Sequence, residues 1–342
     1  MAISLPAEMK TLICEDVGKP LELKTVKNLR LFPGAAPSNG HAPLTFPKGF
    51  CPGGRTIGRV AATGIDTARR EVGQFVLGDP FVRGRDDPDV QILRGYYDGP
   101  SPASKKFMAD NWAMAGSADY MVVPLENCYS LDEKELLQLA VQLVGMGGLR
   151  TIDVKAGERV IVAPATGAFS GAAVQVAIAL GANVDSMGRN LKIVQNTGDV
   201  ENDTAALKQW GPIDACIDIS PIQAKSSTHV RACFLAFRQS VRVALLGTIG
   251  NDISVPYALA TWNRLKIKGS YMYEREDITL LIKMAETGVL RLGKQGGNEV
   301  VGEFKLQDFE KAFDSTRKNP EIFPFDFLAC FNLYPNFLLA SP

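Results

Sequence analysis

Histidine is scarce in this sequence: His41 and His229 are the only two among 342 residues. A catalytic zinc centre needs three Cys, His or carboxylate ligands and an open fourth position, and so few imidazoles leave little to build one from. Cysteine is also little used. Cys14, Cys51, Cys128, Cys216, Cys233 and Cys330 are scattered with no Cys-x-x-Cys pair, a usage that fits thiols buried as small apolar groups in a reducing, cytoplasmic compartment. No signal-peptide pattern precedes them. Net charge is absent as well, 37 basic residues balancing 37 acidic ones. Without a basic stripe or an acidic tail, the expected partners are small molecules and a second copy in a homodimer, with no nucleic acid. No uninterrupted apolar run reaches membrane-spanning length, so no membrane partner is expected either. The nearest, residues 323–340, is broken by Asp326, Asn332, Pro335 and Asn336.

What is there suffices for a large core and two domains: 46% of the residues are hydrophobic and 22% charged. Residues 10–26 alternate apolar and polar around a Val17-Gly-Lys-Pro20 turn, the pattern of a β-hairpin. Residues 28–54 are rich in Pro and Gly with little periodicity, and 55–63, 72–82 and 117–124 resume strand-like alternation. Between them, 84–111 form a charged surface excursion with a helical piece near 105–112. A helix over 132–143 leads into a different rhythm. Strands at 159–163, 183–187, 193–195, 213–219, 241–246 and 265–270 alternate with helices at 170–180, 200–210, 228–237 and 276–287, which predicts an α/β fold with a parallel sheet covered on both faces. From about Asn298 the chain returns to the first domain, with a helix over 304–313.

Residues 157–190 organise the second domain. A β-branched run from Val160 to Val162 turns through small residues into an Ala-rich helix, and a Gly181-Ala182 break leads to the next strand. Such a turn aims the free N–H groups and partial positive charge of a helix start at whatever lies above it, which favours a phosphate. Ala165, Gly167 and Ser170 occupy the three positions of a Gly-x-Gly-x-x-Gly pattern; Gly167 keeps the middle place, where backbone must approach a pyrophosphate closely. An ordinary βαβ turn with no ligand has the same outline.

This segment resembles the cofactor-binding stretch of the medium-chain dehydrogenase/reductase superfamily, close to its zinc-independent, quinone-oxidoreductase-like members and a fungal branch of them. Arg55-Thr-Ile-Gly58-Arg-Val-Ala-Ala, Val72-Gly73-Gln-Phe-Val76, Gly116-Ser-Ala-Asp-Tyr120-Met-Val-Val-Pro124 and Leu245-Leu-Gly247 stand in family order. The resemblance implies a Rossmann-type parallel-sheet cofactor domain over 140–295 and a mainly β, GroES-like catalytic domain over 1–139 completed by 296–342. Where zinc-dependent relatives carry a His-Glu pair after Pro-Gly, this chain has Pro52-Gly53-Gly54-Arg55, so no metal is expected; Cys51 alone has no partner set. Thr166, Gly167, Ala168, Phe169 and Ser170 are expected over the pyrophosphate. Gly188, Arg189 and Asn190 fall where the acid that bonds an NAD ribose would stand. A small residue followed by a guanidinium there implies NADP, with NADPH preferred over NADH; a solvated surface arginine is the alternative. Ser220, Gly247 and Thr248 are expected toward the nicotinamide, as is Asp218, which is equally readable as a capping carboxylate. Tyr271 is the candidate proton donor, Tyr273 lying on the opposite face of an extended segment. The implied reaction is hydride transfer to a small-molecule enone, quinone or ketone, run on positioning and hydrogen bonds. A nucleotide-binding protein without turnover is the alternative.

Four departures from the family also stand out. A core strand after Val26 is not found, residues 137–141 jump between two family segments, only five residues separate Met187 from Ile193, and residues 322–342 form an aromatic-rich tail in place of a closing strand. A crossover between neighbouring parallel strands takes about a dozen residues or more. The expectation is therefore a chain that folds poorly, exposes its tail and binds NADPH weakly unless those segments are restored.

Overall fold

The computed structural model describes residues 8–15, 21–27, 49–54, 56–131, 139–184, 192–222, 224–296, 304–318 and 336–340. They form two compact units, Met1–Leu137 with Glu299–Pro342 and Gln138–Asn298.

The first unit opens on the expected hairpin: β1 (Glu8–Ile13) pairs antiparallel with β2 (Glu22–Lys27), Glu8 opposite Lys27 and Ile13 opposite Glu22. The Val17–Pro20 turn lies outside the described residues, as does any strand within 28–48. Next come β3 (Thr56–Thr63), β4 (Phe75–Gly78), β5 (Phe81–Arg83) and β6 (Gln91–Leu93). The charged excursion carries two helical pieces, α1 (Pro102–Phe107), capped by the Ser101 hydroxyl, and a π-turn over Met108–Trp112. Strands β7 (Tyr120–Pro124) and β8 (Cys128–Ser130) complete this half. Val60, Val76, Met121, Val123 and Cys128 form one core cluster; Met9, Ile13, Val26, Cys51, Met114 and Ala118 form another.

The second unit begins with α2 (Leu139–Thr151), which runs eight residues past the expected end at Leu143. The reason lies in its glycines, which act as packing surfaces instead of stops. A Cβ at Gly145 would stand 2.6 Å from Ala173 Cα, and one at Gly148 2.6 Å from Ile217 Cδ1. The chain continues through β9 (Arg159–Ala163), α3 (Ala168–Ala179), β10 (Asn183–Val184), α4 (Val200–Lys208), β11 (Ala215–Asp218), α5 (His229–Ala236), β12 (Arg242–Leu245), α6 (Tyr257–Trp262), β13 (Lys266–Gly269) and α7 (Arg275–Glu286). All sheet pairings are parallel, in the order β10-β9-β11-β12-β13. The order reverses at β9, whose neighbours are reached in opposite directions, as in doubly wound sheets.

One expected strand is absent. Residues 192–197 are irregular, with Ile193 73% exposed. Their polar groups serve the start of α4 instead: the Thr197 N–H and hydroxyl both donate to Asp203 Oδ1, at 3.0 and 2.7 Å, and Asp199 caps the helix by accepting from the N–H groups of Glu201 and Asn202.

Back in the first unit, a short turn over Leu306–Asp308 precedes α8 (Phe309–Lys318), and Leu306 and Ala312 cluster with Leu12. The chain then corrects one expectation. Asn336–Ala340 form a strand, β14, parallel to and hydrogen-bonded between β3 and β7, giving the order β7-β14-β3-β4-β8. Without it β3 and β7 would each present an unpaired edge, a demand of the sheet that the aromatic composition of the segment conceals. The architecture is thus a Rossmann-type parallel sheet with its helices, plus a mainly β, GroES-like part. Among the described residues no helix is long and apolar enough to cross a membrane.

Candidate functional site

In an open parallel sheet the ligand crevice lies beyond the carboxyl ends of the strands, where the strand order reverses. Here that point falls between β9 and β11. Asp218 stands opposite Ala163, and the Ile219 N–H donates to the Ala163 carbonyl at 2.9 Å.

From Ala163 the chain passes through Pro164 and Ala165 to exposed Thr166 and Gly167 and into α3. Gly167 is the N-cap and has no side chain of its own to bond the N–H groups of the first turn. A Cβ added at Gly167 would meet only Ser170 Oγ, at 3.2 Å, so the approach to the helix start is open. Ser170 closes the turn from within: its Oγ accepts from the Gly167 N–H at 3.0 Å and donates to the Gly167 carbonyl at 3.1 Å. Its hydroxyl is thereby committed to backbone and its side chain is buried, while Ala168 and Phe169 are half-buried. The small residues of α3 also let α2 approach closely, Ala173 meeting Gly145.

Across the crevice, Ser220, Gly247 and Thr248 come together. The Thr248 N–H donates to the Ser220 carbonyl at 2.9 Å, and a Cβ at Gly247 would stand 2.6 Å from Ser220 N and 2.9 Å from Asp218 Oδ2. Glycine is required there because the loops after β11 and β12 touch backbone to backbone. Asp218 is 6% exposed and does not cap the following turn; its Oδ1 accepts from Ser220 Oγ at 2.5 Å and lies 3.2 Å from His229 Nε2. His229, the first residue of α5, also contacts Ser220 Oγ at 2.8 Å and Ser227 Oγ. Sequence reasoning passed over it. Its place at a helix start just after the Asp218-Ile-Ser220 strand end was the available signal.

Cys216, Asp218, His229 and Cys233 line a cavity of about 10 Å³ between β11 and α5, at most the room of one water. The hydrogen bond with the neighbouring Cys233 thiol, together with burial, pushes the Cys216 thiol well up. Asp218 and Ser220 both lie on Nε2 of the ring, so they are not arranged as a serine-hydrolase relay, in which the acid holds the other nitrogen.

Tyr271 stands apart from these groups. It follows β13, three strand spacings from β9, or about 14 Å across the sheet. Met272 has φ +59, so the segment turns and is not extended as expected; Tyr271 is 47% exposed and Tyr273 3%. Gly188, Arg189 and Asn190 lie outside the described residues.

In the first unit, the Pro52-Gly53-Gly54 segment is packed solid. A Cβ at Gly54 would stand 2.6 Å from the Arg94 carbonyl oxygen and 2.7 Å from Tyr96 Cδ2. The Cys51 thiol donates to the Pro52 and Ala115 carbonyls at 3.4 Å, and burial pushes it up to about 11. Among the described residues no group of three or more His, Cys, Asp or Glu is arranged to hold a metal ion.

No family model and no curated protein matches the chain. Solved structures do. A thermostable alcohol dehydrogenase from Pyrobaculum aerophilum superposes with a TM-score of 0.65 at 19% identity, covering 91% of this chain and 96% of that one. L-idonate 5-dehydrogenase from Escherichia coli gives 0.65 at 14% identity over 92% and 96%. A short-chain alcohol dehydrogenase from Escherichia coli CFT073, complexed with NADH, gives 0.63 at 16% over 91% and 96%. The likeness is one of fold. Both parts of the architecture are common to this chain and these dehydrogenases.

Proposed function

We propose that this chain is an NADPH-dependent, zinc-independent oxidoreductase of the medium-chain type that transfers hydride to an enone, quinone or ketone. The observation that carries the reading is the open helix start at Gly167, where a Cβ would meet only Ser170 Oγ, seated where the strand order reverses. The dinucleotide fits there: Thr166, Gly167, Ala168, Phe169 and Ser170 would hold its pyrophosphate, with Ser220, Gly247 and Thr248 on the nicotinamide side. Gly188, Arg189 and Asn190 would take the 2′-phosphate, and Tyr271 would donate a proton. When bound, the cofactor supplies the hydride. The similarity in fold to dehydrogenases, one of them complexed with NADH, supports the class of reaction. The packing at Gly54, which leaves no space for a ligating side chain there, supports the zinc-independent part of the reading. A cytoplasmic homodimer is part of the proposal.

Purified protein incubated with NADPH and a panel of enones, quinones and ketones tests it by the loss of NADPH absorbance. A second reading, a dinucleotide-binding protein without turnover, is favoured by the irregular course of 192–197, where a strand was expected. NADPH that binds and is consumed with no member of the panel would establish that reading.

A further inference from the structure

Among the described residues four that are not glycine have positive φ: Asp153, Ser240, Arg264 and Met272. The first three are polar and exposed, as turn residues in the left-handed region usually are. Met272 is apolar and buried, 9% exposed, with φ +59. A long apolar side chain gains nothing from that backbone, so the conformation persists only where its surroundings enforce it.

The enforcing element is α2. A Cβ at Gly147 would run into the Met272 carbonyl oxygen and stand 2.8 Å from Tyr273 Cα, so the helix admits the turn only because glycine is there. Before the turn, Thr151 Oγ1 and Ser270 Oγ share a hydrogen bond of 3.0 Å, and Lys268 Nζ donates to the Thr151 carbonyl at 3.2 Å. Beyond it, Arg150 Nε donates to Asp277 Oδ1 at 3.1 Å, and the Glu274 N–H donates to Asp277 Oδ2 at 3.0 Å. One helix thus holds the segment 268–277 at both ends and in the middle. Tyr273 is turned into the core, 3% exposed, and Tyr271 is left outside, at 47%. The Ser270 N–H donates to the Leu245 carbonyl at 3.0 Å, so the chain leaves β13 level with the Leu245-Leu-Gly247 end of β12. That end lies one strand spacing away, about 4.8 Å.

We infer that Met272 is a positioning residue: its left-handed backbone, clamped by α2, fixes where the Tyr271 phenol stands beside the loop at Gly247. This rests on the reading of Tyr271 as the proton donor of the proposed reaction. A donor works only within hydrogen-bond reach of the atom it protonates, and a misplacement of about 1 Å can cost roughly a hundredfold in rate. Were residue 272 extended, the strand would run on and the pleat alone would set the direction of Tyr271. In this scheme Met272 moves no proton itself and acts only through its neighbour.

The test is steady-state NADPH oxidation with menadione, chalcone and acetophenone as quinone, enone and ketone, beside NADPH affinity from fluorescence titration. The variants are Met272→Ile, Met272→Asn, Tyr271→Phe and Tyr271→Phe combined with Met272→Ile. Isoleucine, branched at Cβ, resists the left-handed backbone, whereas asparagine tolerates it. The expected kcat of Met272→Ile is roughly ten- to a hundredfold below wild type. NADPH affinity should stay within about twofold, Met272→Asn should restore kcat, and Met272→Ile should cost nothing further once the Tyr271 hydroxyl is gone. An unchanged kcat in Met272→Ile, an equal loss with and without that hydroxyl, or an asparagine variant as slow as the isoleucine one would overturn the inference and leave the donor reading standing. An undiminished kcat in Tyr271→Phe would overturn the donor reading and this inference with it. No NADPH consumption with any of the three substrates would overturn the proposed reaction and the inference together. Should Met272→Ile not fold, Thr151→Val, which removes the bond to Ser270 Oγ, takes its place with the same expected pattern.

Discussion

Gly54 packs directly against Tyr96, whose Cδ2 would lie 2.7 Å from a Cβ added at the glycine. The position that carries a metal ligand in zinc-dependent relatives of the family the sequence resembles is here filled by a neighbour. Gly54→His should therefore destabilise the first unit by about 1–3 kcal/mol, the usual cost of overpacking, and should gain no metal. Thermal unfolding and elemental analysis check both parts. Chelators should leave NADPH oxidation unchanged, and stoichiometric zinc in protein purified without added metal would overturn the prediction.

Arg189 is expected to discriminate between the two nicotinamide cofactors. A charge-assisted contact to phosphate contributes roughly 1.5–3 kcal/mol, or about ten- to a hundredfold in affinity. Arg189→Ala should weaken NADPH binding by that factor and leave NADH nearly untouched, as measured by fluorescence titration of both. Equal losses would make the arginine structural.

Buried thiols set an alkaline limit to stability. Burial raises Cys51 and Cys128 from an ordinary 9.0 to about 11, so the unfolded chain gives up those protons first. Their stabilisation is complete below pH 9 and is lost as pH climbs toward 11. At pH 10 the loss is on the order of 1 kcal/mol per thiol. Arg94, lowered by burial to about 10, acts with the opposite sign above that pH. Denaturant midpoints should fall between pH 9 and 10, less steeply in Cys51→Ala; a flat profile would contradict the assigned burial.

The irregular stretch 192–197 bears on whether the chain binds its cofactor. If the adenine side lacks a wall, unfolding should be broad and NADPH affinity weak, and restoring a crossover helix between β10 and residue 192 should sharpen the one and raise the other. A cooperative transition and micromolar NADPH affinity in the chain as it stands would show that the short path is tolerated.

Sequence legibility followed the range of the forces involved. The hairpin β1–β2 and the alternation from β9 to β13 were readable because amphipathic period and turn residues are local signals. The extension of α2 was not, because Gly145 and Gly148 look like breakers until Ala173 and Ile217 are known to lie against them. The same holds for β14, which exists through pairing with strands far away in the chain. At the candidate site, the turn at Gly167 was readable from its small residues. The His229 cluster was not, since it forms only when α5 folds back over the end of β11. At Gly247 the small size answers to the Ser220 backbone, a contact between two loops that sequence alone does not show.

The position of β14 also constrains how the protein comes to be folded. Among the described residues, every strand of the second unit lies between Arg159 and Gly269, so that sheet can close by local steps. The first unit's sheet cannot. Its strand β14 begins at Asn336, beyond the whole of the second unit, yet it sits between β3 and β7. During synthesis those two strands wait with open edges while the second unit is made. Chain ordering in the first unit therefore carries the larger loop-closure cost and the greater exposure to edge-to-edge misassociation.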